Sequence, residues 1–293
     1  MNYDAILIVG HGSVDAKGAA EIAGIAPLVR SLVGDDVQVE VGFLELSEPP
    51  AMEVVQAMVS AGARRIVVVP LMLGPAGHAR SDVPAIVLGA REAYPGTSFV
   101  YAEPLGNDFA LLELARDALG AAGAFGKPLA VFFRGASEPA ANAQACEIAR
   151  MLAELNGSRE LFVGFSGITW PSVPVALGQA AAAGVSELAT FSWFLATGIL
   201  VERIERALAS FAGEAGVALY RAGHLGVGSQ VARLVLQRAE AAASGQVLTP
   251  CDICSYRRPF PGLEERVGSP RGVGHSHLAA EHRHAHHGEA QGH

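Results

Sequence analysis

Cysteine is scarce in this chain: three residues, Cys146, Cys251 and Cys254, in a length of 293. That excludes a disulfide framework, and the Cys251-x-x-Cys254 pair points to metal or redox chemistry instead. Long apolar runs are also absent. Lys, Arg, Asp or Glu interrupts every stretch before it reaches the roughly 20 residues that a membrane-spanning helix requires. The 51% apolar content is rich in alanine, so its positive mean hydropathy does not imply a membrane protein. Ahead of the first apolar run, Met1-Asn2-Tyr3-Asp4 offers neither a basic segment nor a cleavage site, and a cytoplasmic location is expected. Basic charge is in deficit as well, at a formal net charge of −8, which argues against general nucleic-acid binding. There is no Gly-x-x-x-x-Gly-Lys-[Ser/Thr] loop for ATP-driven metal insertion, and no Gly-x-Ser-x-Gly elbow for a serine hydrolase.

What the chain does have is alternation. Apolar strand-like runs lie at 5–9, 37–43, 65–70 and 98–102, with helical patterns near 18–32, 51–61 and 83–94 and a fourth after Asp108. The order then repeats. Strands are expected at 129–133, 161–165, 188–192 and 217–220, and helices near 140–155, 173–183, 198–211 and 229–242. Strands alternating with helices predict βαβ units around mainly parallel four-stranded sheets, an α/β fold. The repeat extends to single residues at an offset of about 120: Val41-Gly42-Phe43 matches Val163-Gly164-Phe165, Pro49 matches Pro171, and Gly77 matches Gly198. Two tandem domains are predicted, 1–125 and 126–245, with a cleft between them. Residues 246–293 follow as a Cys-x-x-Cys segment and a tail that holds seven of the ten histidines, expected to be disordered unless metal folds it.

In open parallel sheets, ligands bind beyond the carboxyl ends of the strands. His11 follows the first strand, Glu45 the second, and His78 the third. Each has a plainer alternative. His11 in Val-Gly-His-Gly-Ser can simply pack, with Ser13 capping the next helix. Asp82, near His78 and Arg80, can cap the helix that starts near Val83, and Glu45 can be a solvated glutamate. Taken together, two imidazoles and a carboxylate can bind a divalent ion and leave positions open for a substrate. The set is too small for a closed structural zinc site, which wants four ligands.

Three motifs in order carry a resemblance: Ile-Leu-Ile-Val-Gly-His-Gly-Ser, then Val-Gly-Phe-Leu-Glu-Leu-Ser-Glu-Pro, then Val-Val-Val-Pro-Leu-Met-Leu-Gly-Pro-Ala-Gly-His-Ala-Arg-Ser-Asp-Val-Pro. On these the chain resembles the CbiX/SirB family of sirohydrochlorin chelatases, the class II chelatases, over nearly all of residues 1–245. Its two-domain length and His-rich tail are similar to the long CbiX form. The resemblance implies ATP-independent insertion of Co²⁺ into sirohydrochlorin for anaerobic-type cobalamin synthesis, with Fe²⁺ or Ni²⁺ insertion, or non-catalytic binding of metal or tetrapyrrole, as alternatives. It implies that His11 and His78 hold the metal and take up protons, with Glu45 assisting. The implied substrate carries eight carboxylates and two inner pyrrole N–H groups.

The second copy departs from the pattern: Arg134 stands for His11, Gly167 for Glu45 and Ile199 for His78. Arg134 is expected either to meet substrate carboxylates or to form an interdomain ion pair, with Ser13 and Arg80 as further substrate contacts. Cys251 and Cys254 supply two ligands where an Fe–S cluster or structural zinc wants four. Cys146 reads as a core thiol. An Fe–S cluster or other metal at the pair, or a metal-free turn, are the open readings there. The expected partners are sirohydrochlorin and a divalent ion, without nucleic acid or membrane, in a monomer or homodimer.

Overall fold

A computed structural model of the chain describes residues 2–74 and 77–245. Cys251, Cys254 and the His-rich tail lie outside the described residues. Within them are two four-stranded sheets. The first has the order β2 (Gln38–Phe43), β1 (Ala5–Gly10), β3 (Arg65–Pro70), β4 (Ser98–Tyr101). The second repeats it as β6 (Leu161–Phe165), β5 (Leu129–Phe133), β7 (Glu187–Ser192), β8 (Ala218–His224). All neighbouring strands run parallel. The central strands read as unbroken apolar runs because both of their faces are covered. In β1, Ile6 and Ile8 enter one core while Ala5, Leu7 and Val9 enter another.

The helices are α1 (Ala16–Ala23), α2 (Ile25–Val33), α3 (Ala51–Ser60), α4 (Val83–Ala93) and α5 (Phe109–Ala121), then α6 (Pro139–Asn156), α7 (Val173–Ala182), α8 (Ile199–Ala215) and α9 (Ser229–Ala243). A π-helical turn, His78–Asp82, precedes α4. The single helix expected over 18–32 is two helices meeting at Gly24, a residue with weak helical preference. The strand expected to end at Tyr220 continues to His224 with an irregular register against β7. As an edge strand it is only partly covered, which is why its sequence lacks a clear apolar run. Cys146 is exposed rather than a core thiol. It lies one residue, about 100° of helix, away from the buried stripe Ala145, Ile148, Ala149 and Leu152 of α6.

The halves trade their last helices. α9 packs on α2 and against β3 and β4, while α5 packs on α6 and against β7 and β8. One hydrophobic core consequently runs through both halves, from Ile6 and Val29 to Phe133, Leu152 and Val235. Two further cores lie on the outer faces, under α3 and α4 on one side and under α7 and α8 on the other. Arg238 of α9 ties the exchange: it donates to the carbonyls of Pro104 (3.2 Å) and Leu105 (2.9 Å) and pairs with Asp108 at 2.9 Å. No helix among the described residues is long and apolar enough to cross a membrane.

Sheet order places the site. From β1 the chain crosses to β2 on one side, and from β3 to β4 on the other. The loops after β1 and β3 part at this point and open a crevice.

Candidate functional site

The loop after β1 and the loop after β2 extend the ladder past the strands. Leu44 N–H donates to Gly10 O at 3.0 Å and Glu45 N–H to His11 O at 3.1 Å. Farther out, the Ser47 hydroxyl accepts from Ser13 N–H at 2.9 Å and donates to Ser13 O at 3.0 Å. This close approach requires Gly12. Its φ is 99°, and a Cβ there would lie 1.7 Å from the Glu45 carbonyl oxygen. The zipped loops bring Glu45 Oε1 to 3.7 Å from His11 Nδ1, beyond hydrogen-bond distance.

His78 arrives from the third loop at the start of the π-helical turn, where Val83 N–H bonds back to the His78 carbonyl. Ser81 Oγ donates to Gly77 O at 2.8 Å, and the Tyr101 hydroxyl donates to Ala79 O, pinning the turn to β4. Asp82 sits 2.6 Å from His78 Nδ1, an arrangement that orients the ring. The His11 and His78 rings meet edge-on with centroids 4.3 Å apart. One ligand atom each from His11, Glu45 and His78 lie within 4.8 Å of one another. A shared ion at about 2.1 Å from each would hold them within about 4 Å, so a small contraction suffices. Three protein ligands with open positions is the pattern of a site that must also admit a substrate.

The cluster lies in a cleft of about 750 Å³ with walls from both halves. Leu71, Met72, Phe133, Trp193 and Leu195 make the cleft mainly apolar, and Ser13 and Arg134 are among its polar members. Arg134 keeps solvent contact along the cleft but has protein on most sides. Burial pushes its pKa below the ordinary value, with the Glu45 and Glu138 carboxylates acting in the opposite direction. The second half comes close to the first on both sides of the cleft. Thr197 N–H donates to Glu21 of α1 at 2.7 Å, and a methyl group on Gly77 would lie 3.5 Å from the Glu138 carboxylate.

The structure brings His11, Glu45 and His78 together and places Ser13 and Arg134 along the same cleft. Arg80 is different: it is exposed and not among the described residues that line the cleft. Ser13 does not cap α1. That role belongs to Asp15, which accepts from Lys17 N–H at 2.9 Å. Asp82 does not cap α4 with its side chain. Its contact with His78 was missed, although the His-x-x-x-Asp spacing was its signal.

The second half closes its corresponding loops in the same way, with Gly167 N–H donating to Arg134 O at 2.9 Å and Ser166 N–H to Phe133 O at 2.8 Å. His11 and Arg134, and Glu45 and Gly167, are thus structural counterparts. At Gly167, however, a Cβ would lie 2.4 Å from the Arg134 carbonyl oxygen, so the counterpart of Glu45 has no room for a side chain.

The CbiX family model matches the chain twice, over residues 5–122 and 128–242. A sirohydrochlorin cobaltochelatase of Priestia megaterium is 30% identical over 263 residues, 86% of this chain and 84% of that protein. A sirohydrochlorin ferrochelatase of Bacillus subtilis is also 30% identical, over 204 residues, 69% of this chain and 78% of that protein. Among solved structures, SirB from Bacillus subtilis with Fe³⁺ aligns at a TM-score of 0.73 and 26% identity, covering 83% of this chain and 96% of its own. The sirohydrochlorin chelatase SirB from Bacillus subtilis subspecies spizizenii in complex with cobalt aligns at 0.71 and 26%, covering 82% and 95%. With the family model spanning both halves and the relatives matched along most of their length, the chain belongs to the CbiX family, the sirohydrochlorin chelatases.

Proposed function

We propose that this chain is a sirohydrochlorin cobaltochelatase that inserts Co²⁺ without ATP, and that His11, His78 and Glu45 of the 1–125 domain receive the metal. The observation that carries the reading is the convergence of three ligating side chains from three loops on one mainly apolar cleft. The 126–245 domain acts as the opposite wall. The preference for cobalt is supported by the similarity to the Priestia megaterium cobaltochelatase over most of both chains.

In this reading Co²⁺ is a substrate, held by imidazole nitrogen and carboxylate oxygen and passed to the ring. Insertion releases the two inner pyrrole protons, and an imidazole that gives up the metal regains a lone pair able to accept one. Glu45, beside His11, relays the proton outward. Asp82 keeps His78 in the tautomer whose free nitrogen faces the cleft. Arg134 supplies a fixed positive charge for a peripheral carboxylate of the substrate. The low polarity of the walls strengthens each of these interactions relative to water.

A second reading, iron insertion, is favoured by the similarity to the Bacillus subtilis ferrochelatase. Imidazole and carboxylate suit both ions, so the ligand set does not separate them. The deciding experiment follows the absorbance of sirohydrochlorin with Co²⁺, Fe²⁺ and Ni²⁺ separately, under anaerobic conditions and without ATP. Fastest turnover with Co²⁺ is expected. Faster turnover with Fe²⁺ would replace the first reading by the second, and no spectral change with any ion would remove both.

A further inference from the structure

Leu46 is the one non-glycine residue with a positive φ, 63°, among the described residues. Ser47 N–H reaches back to Glu45 O at 2.8 Å and closes a three-residue turn around it. L-residues avoid this conformation because Cβ crowds the following carbonyl oxygen. The fold does not demand it. The second half closes the matching loop with the same Gly167 to Arg134 hydrogen bond and a Phe165–Ser172 bridge like that of Phe43–Pro50, and Ile168, the counterpart of Leu46, has no positive φ. Strain confined to the half that carries Glu45 points to the site rather than to folding.

The side chain is equally out of place. Leu46 is 50% exposed, and Val14 and Ile199 are 66% and 49% exposed, yet all three line the cleft. Their neighbours hold them in one place. Ser47 is bonded to Ser13, and a methyl group on Gly198 would lie 3.7 Å from Ser13 Oγ. Three aliphatic side chains, from two loops of the first half and the first residue of α8, therefore line the cleft that holds the histidines. A metal ion offers such a surface nothing to cover it. A ligand with a broad apolar face does.

We infer that Leu46, with Val14 and Ile199 beside it, is a positioning residue that packs on a flat face of the tetrapyrrole ring. Its strained turn aims the side chain into the cleft while leaving the adjacent Glu45 at the histidines. This rests on the reading that the cleft takes sirohydrochlorin.

The test titrates the full chain, Leu46→Asn and Leu46→Met with metal-free sirohydrochlorin, followed by absorbance, and separately with Co²⁺ by calorimetry. Asn tolerates the left-handed turn but lacks the apolar face, whereas Met keeps the apolar bulk. Leu46→Asn is expected to weaken sirohydrochlorin binding about tenfold, with Co²⁺ affinity and Tm held. Leu46→Met should restore most of the loss. Sirohydrochlorin binding by Leu46→Asn equal to that of the parent would overturn the inference alone. So would parallel loss of Tm, Co²⁺ and sirohydrochlorin in both variants, which marks a purely structural residue. Failure of the parent to bind sirohydrochlorin would overturn the reading of the cleft and this inference together.

Discussion

The loops after β1 and β2 and their counterparts after β5 and β6 are closed by the same backbone hydrogen bonds, but only the first pair presents groups that can hold a cation. The second pair is more than a copy with its ligands exchanged. Gly167 has its space filled by the Arg134 carbonyl, and the π-helical turn that carries His78 has become the ordinary start of α8 at Ile199. A duplicated frame can thus keep its ladder while its loops are rebuilt around another task, here the wall of a shared cleft.

The largest expected effect that tests this asymmetry comes from paired substitutions. His11→Ala or His78→Ala should lower the metal insertion rate about 100-fold or more, the loss of one ligand in three, with circular dichroism unchanged. Arg134→Ala, the counterpart of His11→Ala, should cost far less; equal losses would erase the distinction between the halves. Next in size, Gly167→Glu should destabilise the fold by about 2 kcal/mol, because its side chain begins against a backbone oxygen. Thermal denaturation would show a Tm lower by about 5 °C. An unchanged Tm would mean that the second loop has room for a side chain at this position and that its ligand is merely substituted.

A smaller effect is expected outside the ligand set. Asp82→Asn should weaken Co²⁺ binding about tenfold by releasing the His78 ring, measured by calorimetry on the metal alone. The smallest concerns the charge that the second half projects toward the first. Arg134→Gln should tighten Co²⁺ binding about threefold in the absence of tetrapyrrole, because a cation within electrostatic reach of Glu45 is removed. High salt should shrink that difference, and weaker binding in Arg134→Gln would show that Arg134 supports the metal site instead.

The strands were readable in the sequence because a parallel strand covered on both faces is a continuous apolar run. The bounds expected for the central strands β3 and β5 agree with the structure residue for residue, and those of β6 do so although it is a partly covered edge strand. The convergence of His11, Glu45 and His78 was readable for a related reason, since all three follow parallel strands and must emerge at one edge. Side-chain direction was not. Arg80 and His78 are two residues apart and lie on opposite sides of the turn, and nothing in the sequence says which side faces the cleft. Asp82 satisfies a helix-capping pattern and an i,i+4 pairing pattern at once, so its sequence context cannot choose between them. Leu46 carried no signal at all, because nothing in a leucine announces a positive φ. The exchange of α5 and α9 was equally silent. Each is amphipathic, and an apolar stripe does not name the sheet it will cover.

That exchange has a consequence for how the chain can change over time. Each half carries the lid of its sibling's core, so removing the second half would strip α9 from β3 and β4 and leave α5 with nothing to cover. In this chain, loss of the ligands of the second half leaves the shared core intact, whereas loss of the half itself would uncover β3 and β4. The second half's cleft-facing loops are free to drift toward holding the substrate, while its buried helix faces stay under the same constraint as those of the half that keeps the metal ligands.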